Sequence, residues 1–206
     1  MAVPPCVRAL KGVLPRLGTF VRAEIDYAEY LPDWHPYEDY RTSYAARAEL
    51  GGGVVLTQIH DYDLAYWLFG PPRDVRATGG RFSDLEIDVE DTVDATLVTA
   101  AGPVRVRQTI AGKSPRRTIV VHGILGSATL DLLAGRLSVD PPDLADGLVV
   151  ADYQRNQLFM DEAAHFLDCI AGRAGPLIPL SQGVFVLKVA LAVKDAMRTG
   201  ATVHIT

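Results

Sequence analysis

Between residues 73 and 150, short segments in which apolar and polar residues alternate follow one another along the chain. Val93, Ala95 and Leu97, for example, alternate with threonine and aspartate, and glycines separate successive segments. A period of two is that of a β-strand with one face against a core and the other in water. Short turns join strands that run antiparallel, so the pattern predicts a sheet in which antiparallel pairing dominates.

Helical patterns and further strand patterns flank this region. Residues 19–27 alternate as a strand, and residues 201–206 form a short closing strand. Apolar residues recur at helical spacing in residues 6–17, 54–69, 157–171 and 180–199. The combination predicts an α+β fold, an open, mainly antiparallel sheet of many strands with helices packed on one face. The other face carries polar residues and is either solvated or an oligomer interface.

The composition of the 206-residue chain suits one soluble globular domain, with 49% hydrophobic and 22% charged residues. The net charge of −5 and the lack of clustered Lys and Arg argue against nucleic acid and a membrane surface as partners. No signal-peptide pattern or bilayer-spanning segment occurs, so a cytoplasmic location is expected. Cys6 and Cys169 are expected to be reduced thiols, with a disulfide as the alternative, and no ligand spacing predicts a metal site.

The sequence lacks the motifs that bind a nucleotide cofactor. A dinucleotide-binding unit needs a strand, a G-x-G-x-x-G turn, a helix and an acidic residue about 20 positions later. The glycine clusters at residues 51–53 and 79–80 do not fit this pattern, and no P-loop or G-x-S-x-G motif occurs. No cofactor-binding residue is therefore predicted, and the chain alone is expected to bind neither NAD nor ATP.

His60 lies in the helical segment that follows three consecutive glycines. At helical spacing it shares a face with Thr57 and Asp61, and on its other side with Asp63 and Trp67. One interpretation is a core histidine that a hydrogen bond satisfies. The other is a general acid/base toward a substrate hydroxyl or carbonyl, a role that enzymes give to histidine more often than to any other side chain.

Residues 30–50 interrupt the regular pattern with prolines, charges and several aromatic side chains. A long irregular segment inside a compact domain usually has a function. Trp34, His35, Tyr37 and Arg41 offer aromatic planes together with directional hydrogen-bonding groups, the mixture by which sugars are bound. The alternative is a rigid surface loop held in place by its own aromatic side chains.

From the aromatic segment into the helix with His60, the chain reads LPDWHPYEDYR and then SYAARAELGGGVVLTQIHDYDLAYWLFG. These stretches, which are the more specific ones, resemble the second domain of the glucose–fructose oxidoreductase/inositol dehydrogenase family (Gfo/Idh/MocA). Weaker ones are VEDTVDATLVTAAG, VVHGILGSATLDL and the closing helix pair with its last strand. The opening PPCVRALKGVLPRLG resembles the helix that follows the cofactor domain in that family. The resemblance covers nearly all of the chain.

This resemblance implies an open sheet like that of the C-terminal domain of glyceraldehyde-3-phosphate dehydrogenase. It also implies hydride transfer between NAD(P) and a carbon that bears a sugar or polyol hydroxyl, with His60 as the catalytic residue that faces this carbon. The expected substrate contacts are Trp34, His35, Tyr37, Arg41, Thr57 and Asp63. Many relatives have Asp where this chain has Thr57, and a hydroxyl cannot replace a carboxylate in a proton relay.

The family carries its nucleotide-binding domain before the domain that this chain resembles. Residues 1–206 are therefore interpreted as a single C-terminal domain without the N-terminal dinucleotide-binding domain, and NAD or NADP is expected only in the complete enzyme. The expected partners are a sugar-like small molecule, further copies of the chain through the open sheet face, and a separate Rossmann domain. The alternative is a non-catalytic sugar-binding or oligomerisation scaffold, which Thr57 and the missing cofactor half favour.

Overall fold

A single sheet forms the frame of the protein. The computed structural model describes residues 3–148, 150 and 155–205, and eight strands occur within them. Their bounds are Phe20–Tyr30 (β1), Pro72–Gly80 (β2), Thr92–Thr99 (β3), Pro103–Thr109 (β4), Ala111–Gly123 (β5), Ser127–Asp131 (β6), Arg136–Asp140 (β7) and Val203–His204 (β8). Val149 and Thr206, which belong to the predicted strand region and the predicted closing strand, lie outside the described residues.

The strands follow the order β7-β6-β5-β1-β4-β3-β2-β8 across the sheet. Neighbouring strands are antiparallel except β1 and β4, which run parallel with Ala23 opposite Val104. Only Ile110 separates β4 from β5 in sequence, yet β1 lies between them in the sheet. The prediction of an open, mainly antiparallel sheet is confirmed, and the parallel pair at its centre is an addition to it.

The two faces of the sheet differ as the alternation predicts. One face is the core, where Ile25, Val106 and Ile119 are fully buried. The other face carries Arg, Asp, Glu and Thr in the alternate positions, and many of the charges are paired. Arg107 Nη2, for instance, lies 2.8 Å from Asp26 Oδ2. The open face is therefore a surface of compensated charges rather than an apolar one.

Five α-helices occur in the described part of the chain, with bounds Pro5–Val13 (α1), Val54–Thr57 (α2), His60–Phe69 (α3), Arg155–Ile170 (α4) and Leu180–Thr199 (α5). α1 packs against β6 and β7, α3 against β4, and α5 against β2. α1 is shorter than the predicted segment 6–17, because the chain tightens into a 3₁₀ turn over Leu14–Leu17. Pro15 in this turn has no N–H with which to continue the α-helical hydrogen bonds.

α4 and the first half of α5 keep apolar side chains in solvent. No described side chain of α4 is buried, and Phe166 and Ile170 are among its exposed residues. On α5 the exposed apolar residues recur at helical spacing, as Leu180, Val184, Leu187 and Leu191. We call these four residues the α5 stripe. An apolar stripe of this kind is typical of an interaction surface.

Two further expectations concern cysteines and membranes. Neither Cys6, which is buried, nor Cys169, which is half-buried, is part of a disulfide. Among the helices of the described residues, none combines the length and the apolar character that a bilayer crossing requires.

Candidate active site

Three glycines shape the backbone just before the helices that lead to His60. Gly51 and Gly53 have φ angles of +76° and +97°, in the left-handed region that favours glycine. Gly52 lies against backbone, and a Cβ atom there would come within 2.4 Å of the Tyr44 carbonyl oxygen. A side chain at Gly52 would collide with this carbonyl, so the turn that starts α2 at Val54 depends on glycine.

His60 is the first residue of α3, and its side chain is exposed. The prediction of one continuous, mostly buried helix over residues 54–69 is wrong here, because the backbone leaves the helical region at Gln58 (φ −104°, ψ 35°). The carbonyl of Gln58 is bound from the sheet by the side chain of Gln108. The imidazole of His60 makes no hydrogen bond to another described residue. Its position therefore does not fit the interpretation as a satisfied core histidine.

Four polar side chains meet beneath the first turn of α3. Gln108 Nε2 donates to Asp61 Oδ2 at 2.9 Å and to the Gln58 carbonyl oxygen at 2.7 Å. The Tyr62 hydroxyl donates to Gln108 Oε1 at 2.8 Å. Arg117 Nη2 donates to Asp61 Oδ1 at 3.3 Å. Asp61 is completely buried, so these bonds replace the water that its carboxylate loses on folding.

One row of the sheet supplies the contacts to Asp61 and Tyr62. Gln108 of β4 is opposite Tyr27 of β1, and Tyr27 is opposite Arg117 of β5. The Tyr27 hydroxyl donates to Glu29 Oε2 at 2.8 Å, and the Arg117 guanidinium lies 5.9 Å from the centroid of the Tyr27 ring. The first turn of α3 thus rests on a polar row in an otherwise apolar face.

Burial raises the pKa values of the acidic groups in and above this row. It raises the pKa of Asp61 above its ordinary value, and the opposing effects of Arg117 and the Gln108 amide do not cancel it. Burial also raises the pKa of Tyr62, with the Asp61 charge acting in the same direction. The pKa of Tyr27 is raised by burial and then by its bond to Glu29. Both phenols therefore remain protonated donors at neutral pH.

Thr57 and Asp63 have partners within the fold. Thr57 Oγ1 donates to the Gly53 carbonyl oxygen at 2.7 Å, a bond along the axis of α2. Asp63 Oδ1 accepts a hydrogen bond from Gln182 Nε2 at 2.8 Å, which connects α3 to the beginning of α5. Neither side chain is hydrogen-bonded to His60.

The aromatic segment after β1 is arranged around Trp34. The indole of Trp34 packs against the core, and its buried Nε1 has no hydrogen-bond partner within the described structure. His35 Nδ1 lies 3.0 Å from the Tyr37 hydroxyl, and the two rings meet edge to face. Tyr37 is 79% exposed, so the tip of this segment presents an aromatic plane and an imidazole to solvent.

Arg41 joins the aromatic segment to a second loop, residues 81–91. Its guanidinium lies 2.8 Å from an oxygen of Asp39 and 2.8 Å from an oxygen of Glu86. Asp88 Oδ1 adds a contact between the same loops by accepting the backbone N–H of Ala48 at 2.7 Å. In this structure the charge of Arg41 is used to hold the two loops together.

The predicted site residues form two groups. His60, Thr57 and Asp63 lie on α2 and α3, whereas Trp34, His35, Tyr37 and Arg41 lie on the loop after β1. Among the described residues, no hydrogen bond or ion pair joins one group to the other.

Sequence reasoning missed the residues that support His60. Gln108 and Arg117 continue the buried phase of their strands, after Val106 and before Ile119 respectively. A polar side chain in the apolar phase of a strand needs a partner, which in this chain is Asp61. This break in the alternation was the signal that could have located them.

An exposed imidazole above a supported polar row can exchange a proton with a hydroxyl placed against it. The row fixes the helix turn, while the ring itself remains unbonded and accessible. Such an arrangement suits general acid/base chemistry, in which the reacting group must be available to substrate and its backbone must be held.

A family model for the GFO/IDH/MocA C-terminal domain matches residues 15–129. A search of curated proteins gave no match. The match region includes β1, both loops, α2, α3 and the central strands, and therefore contains every predicted site residue.

Solved structures with the same fold include several dehydrogenases. Levoglucosan dehydrogenase in complex with NADH has a TM-score of 0.80 and 19% identity, and the match covers 98% of this chain and 63% of that chain. The WlbA dehydrogenase of Bordetella pertussis in complex with NADH and UDP-GlcNAcA has a TM-score of 0.75 and 17% identity, with 98% of this chain and 62% of that chain covered. UDP-N-acetylglucosamine 3-dehydrogenase GnnA of Acidithiobacillus ferrooxidans has a TM-score of 0.72 and 22% identity, with 95% of this chain and 58% of that chain covered. This chain thus spans less than two thirds of each of them.

Proposed function

Because this chain belongs to the Gfo/Idh/MocA family through its C-terminal domain, we propose that it is the substrate-side domain of an NAD(P)-dependent oxidoreductase. The proposed reaction converts a CH–OH group of a sugar, polyol or sugar derivative to a carbonyl, or the reverse. The observation that carries the proposal is the exposed His60 at the start of α3, above the buried row of Gln108, Tyr27 and Arg117.

In the proposed reaction His60 takes the hydroxyl proton while the carbon loses a hydride. A bound nicotinamide would supply the hydride acceptor, and the product would be a carbonyl compound. His35 and Tyr37, at the exposed tip of their loop, are proposed to contact the substrate together with Trp34. Arg41 is proposed to contact it through the second N–H of Nη1 or Nη2, since each of these nitrogens donates to only one of the two carboxylate partners, Glu86 and Asp39. Thr57 and Asp63 are proposed to contact the substrate beside His60.

No cofactor-binding residue is proposed in the described part of this chain. Levoglucosan dehydrogenase and the WlbA dehydrogenase are bound to NADH, and this chain corresponds to about 60% of each. We propose that a nucleotide-binding domain, separate from the domain that this structure describes, covers the α5 stripe. The Gln182–Asp63 bond connects the beginning of α5 to α3, so a domain docked there would lie beside His60.

The open face of the sheet is proposed to form a homo-oligomer. Charged residues such as Arg105, which is paired with Asp94, extend across this face and can exchange partners with a second copy. Sedimentation of the purified chain is expected to show a species larger than a monomer, and Arg105→Glu is expected to shift it toward monomer. Arg198→Glu, on the opposite side in α5, is the matched control and should leave the distribution unchanged. Monomer alone at high concentration would contradict this proposal.

A second candidate function is a non-catalytic sugar-binding or oligomerisation scaffold. The contacts of Thr57 favour it, because the Oγ1 proton is donated to the carbonyl of Gly53, the residue just before α2, and no carboxylate stands at position 57. A scaffold would bind its ligand without any redox reaction, which separates it from the first candidate.

The test compares nicotinamide chemistry with and without a cofactor domain. The 206-residue chain is expected to leave NADH fluorescence unchanged in a titration, because it contains no G-x-G-x-x-G unit. A protein that adds a nucleotide-binding domain is expected to bind NADH and to reduce NAD(P) when offered a panel of sugars, polyols and sugar nucleotides. Tight, saturable NADH binding by the 206-residue chain would contradict the proposed division of roles. Cofactor binding without reduction by any compound of the panel would favour the scaffold.

A further inference from the structure

The helix is interrupted between α2 and α3, so a continuous helix does not fix the orientation of the His60 backbone. Contacts with other parts of the fold must fix it. In an unbroken helix each residue is oriented by the turn before it. Here the backbone departs from helical geometry at Gln58, two residues before His60. The carbonyls at such an interruption need other partners, because part of the regular i to i+4 bonding is lost.

Gln108 supplies hydrogen bonds on both sides of the interruption. Before it, Nε2 binds the Gln58 carbonyl oxygen at 2.7 Å, and after it the same nitrogen binds Asp61 Oδ2 at 2.9 Å. Oε1 accepts the hydroxyl of Tyr62 at 2.8 Å. His60 lies between the bound residues, so one side chain clamps the chain on either side of it.

The chemistry of these contacts requires an amide. Two acceptors, a carbonyl and a carboxylate, face the nitrogen end of Gln108, and a hydroxyl donor faces its oxygen end. An amide has two N–H donors and one carbonyl acceptor, and all of them are used here. A carboxylate would place oxygen against both acceptors, and an apolar side chain would leave Asp61 and the Gln58 carbonyl with fewer partners. Gln108 is 1% exposed, so these contacts are made away from solvent.

We propose that Gln108 is a positioning residue for His60, which its amide holds at the exposed start of α3. The catalytic meaning rests on the proposed function, whereas the positional claim does not. Proton transfer needs heavy atoms within about 2.6–3.2 Å, and a misplacement of about 1 Å lowers the rate by about 10²-fold. A histidine that acts as an acid/base needs a backbone held in place and a ring free to meet the substrate. The first turn of α3 and the imidazole of His60 meet these two requirements.

The test uses NMR of the 206-residue chain, with the ring signals of His60 assigned from His60→Gln. Gln108→Met keeps the approximate size of the side chain and removes all three bonds. It is expected to shift the His60 ring signals and the backbone amide signals of residues 58–62. Gln182→Met is the matched control, since it also removes a hydrogen bond that a side-chain amide donates to an aspartate of α3, Asp63. The control should leave the His60 ring signals in place.

A second variant keeps the test decisive if Gln108→Met does not fold. Tyr62→Phe removes only the hydroxyl that binds Gln108 Oε1, and a smaller shift of the same ring signals is expected. Unchanged His60 signals in a folded Gln108→Met, or in Tyr62→Phe where the methionine variant is unfolded, would overturn the proposal. Equal shifts in Gln182→Met would overturn it as well.

Activity gives an independent readout. In a protein that includes the nucleotide-binding domain, Gln108→Met is expected to lower kcat by about 10- to 100-fold with a smaller change of KM. Moved ring signals in a protein with no nicotinamide-linked activity would support the positioning role and reject the proposed function. If Gln108→Met shifts the His60 ring signals but leaves kcat unchanged, the claim that this positioning matters for catalysis is overturned.

Discussion

Replacement of His60 by alanine is expected to lower kcat by about 10²- to 10⁴-fold in a protein that combines this domain with a nucleotide-binding domain. The imidazole is the proposed proton acceptor, and its loss leaves only water to take the hydroxyl proton. The melting temperature should change little, because the side chain is exposed and unbonded. Steady-state kinetics and thermal unfolding of the same preparation measure both quantities.

His122→Ala is the control for this variant, because His122 lies on β5 at the open face of the sheet, opposite Arg22. It should retain the parent kcat. A His60→Ala protein with unchanged turnover and a clearly lower melting temperature would show that the histidine has a structural role. The catalytic part of the proposal would then be rejected, while the family and the fold would stand.

Replacement of Asp61 by alanine is expected to lower the free energy of unfolding by about 3 kcal/mol, the lower end of the range for breaking a buried ion pair. The lower end applies because the Arg117 side chain is 30% exposed and can be hydrated when its partner is lost. In a chain of this length the loss corresponds to a decrease in melting temperature of about 6–12 °C. Denaturant unfolding followed by circular dichroism measures the change.

The matched control is Asp195→Ala, which removes an aspartate that pairs with Arg198 on the surface of α5. Exposed pairs of this kind contribute less than about 1 kcal/mol. A loss in Asp61→Ala no larger than that of the control would mean that Arg117 and Gln108 find water in place of the carboxylate. The row beneath α3 would then contribute little to stability.

Most of the sheet could be predicted from the sequence, because the phase of alternation is a local property. Val93, Ala95 and Leu97 show their buried side directly. The place of β1 between β4 and β5 could not be predicted. The alternation of apolar and polar residues indicates which side chains of a strand face the core, but it does not indicate which strand is its neighbour in the sheet.

The candidate site was predictable only in part. The triple glycine and His60 stand out in the sequence, and both lie where a helix begins. The interruption at Gln58 does not stand out, because neither Gln58 nor Ile59 is a helix breaker. The carbonyl of Gln58 is bound by Gln108, fifty positions later, and a contact of this kind between a strand and a helix end is invisible to any local window.

The position of β1 also has a consequence for how the chain folds. The strands β2, β3 and β4 form one local meander and β5, β6 and β7 another, so each can assemble from neighbouring segments. The strand that joins them, β1, precedes both meanders in the sequence, and it cannot complete its ladder with Val104 until some eighty later residues have been made. Once β4 and β5 have been made, they are neighbours in sequence and can pair with each other as a hairpin that the finished sheet excludes. Nascent chains of this protein thus face a kinetic competition at the very centre of the sheet.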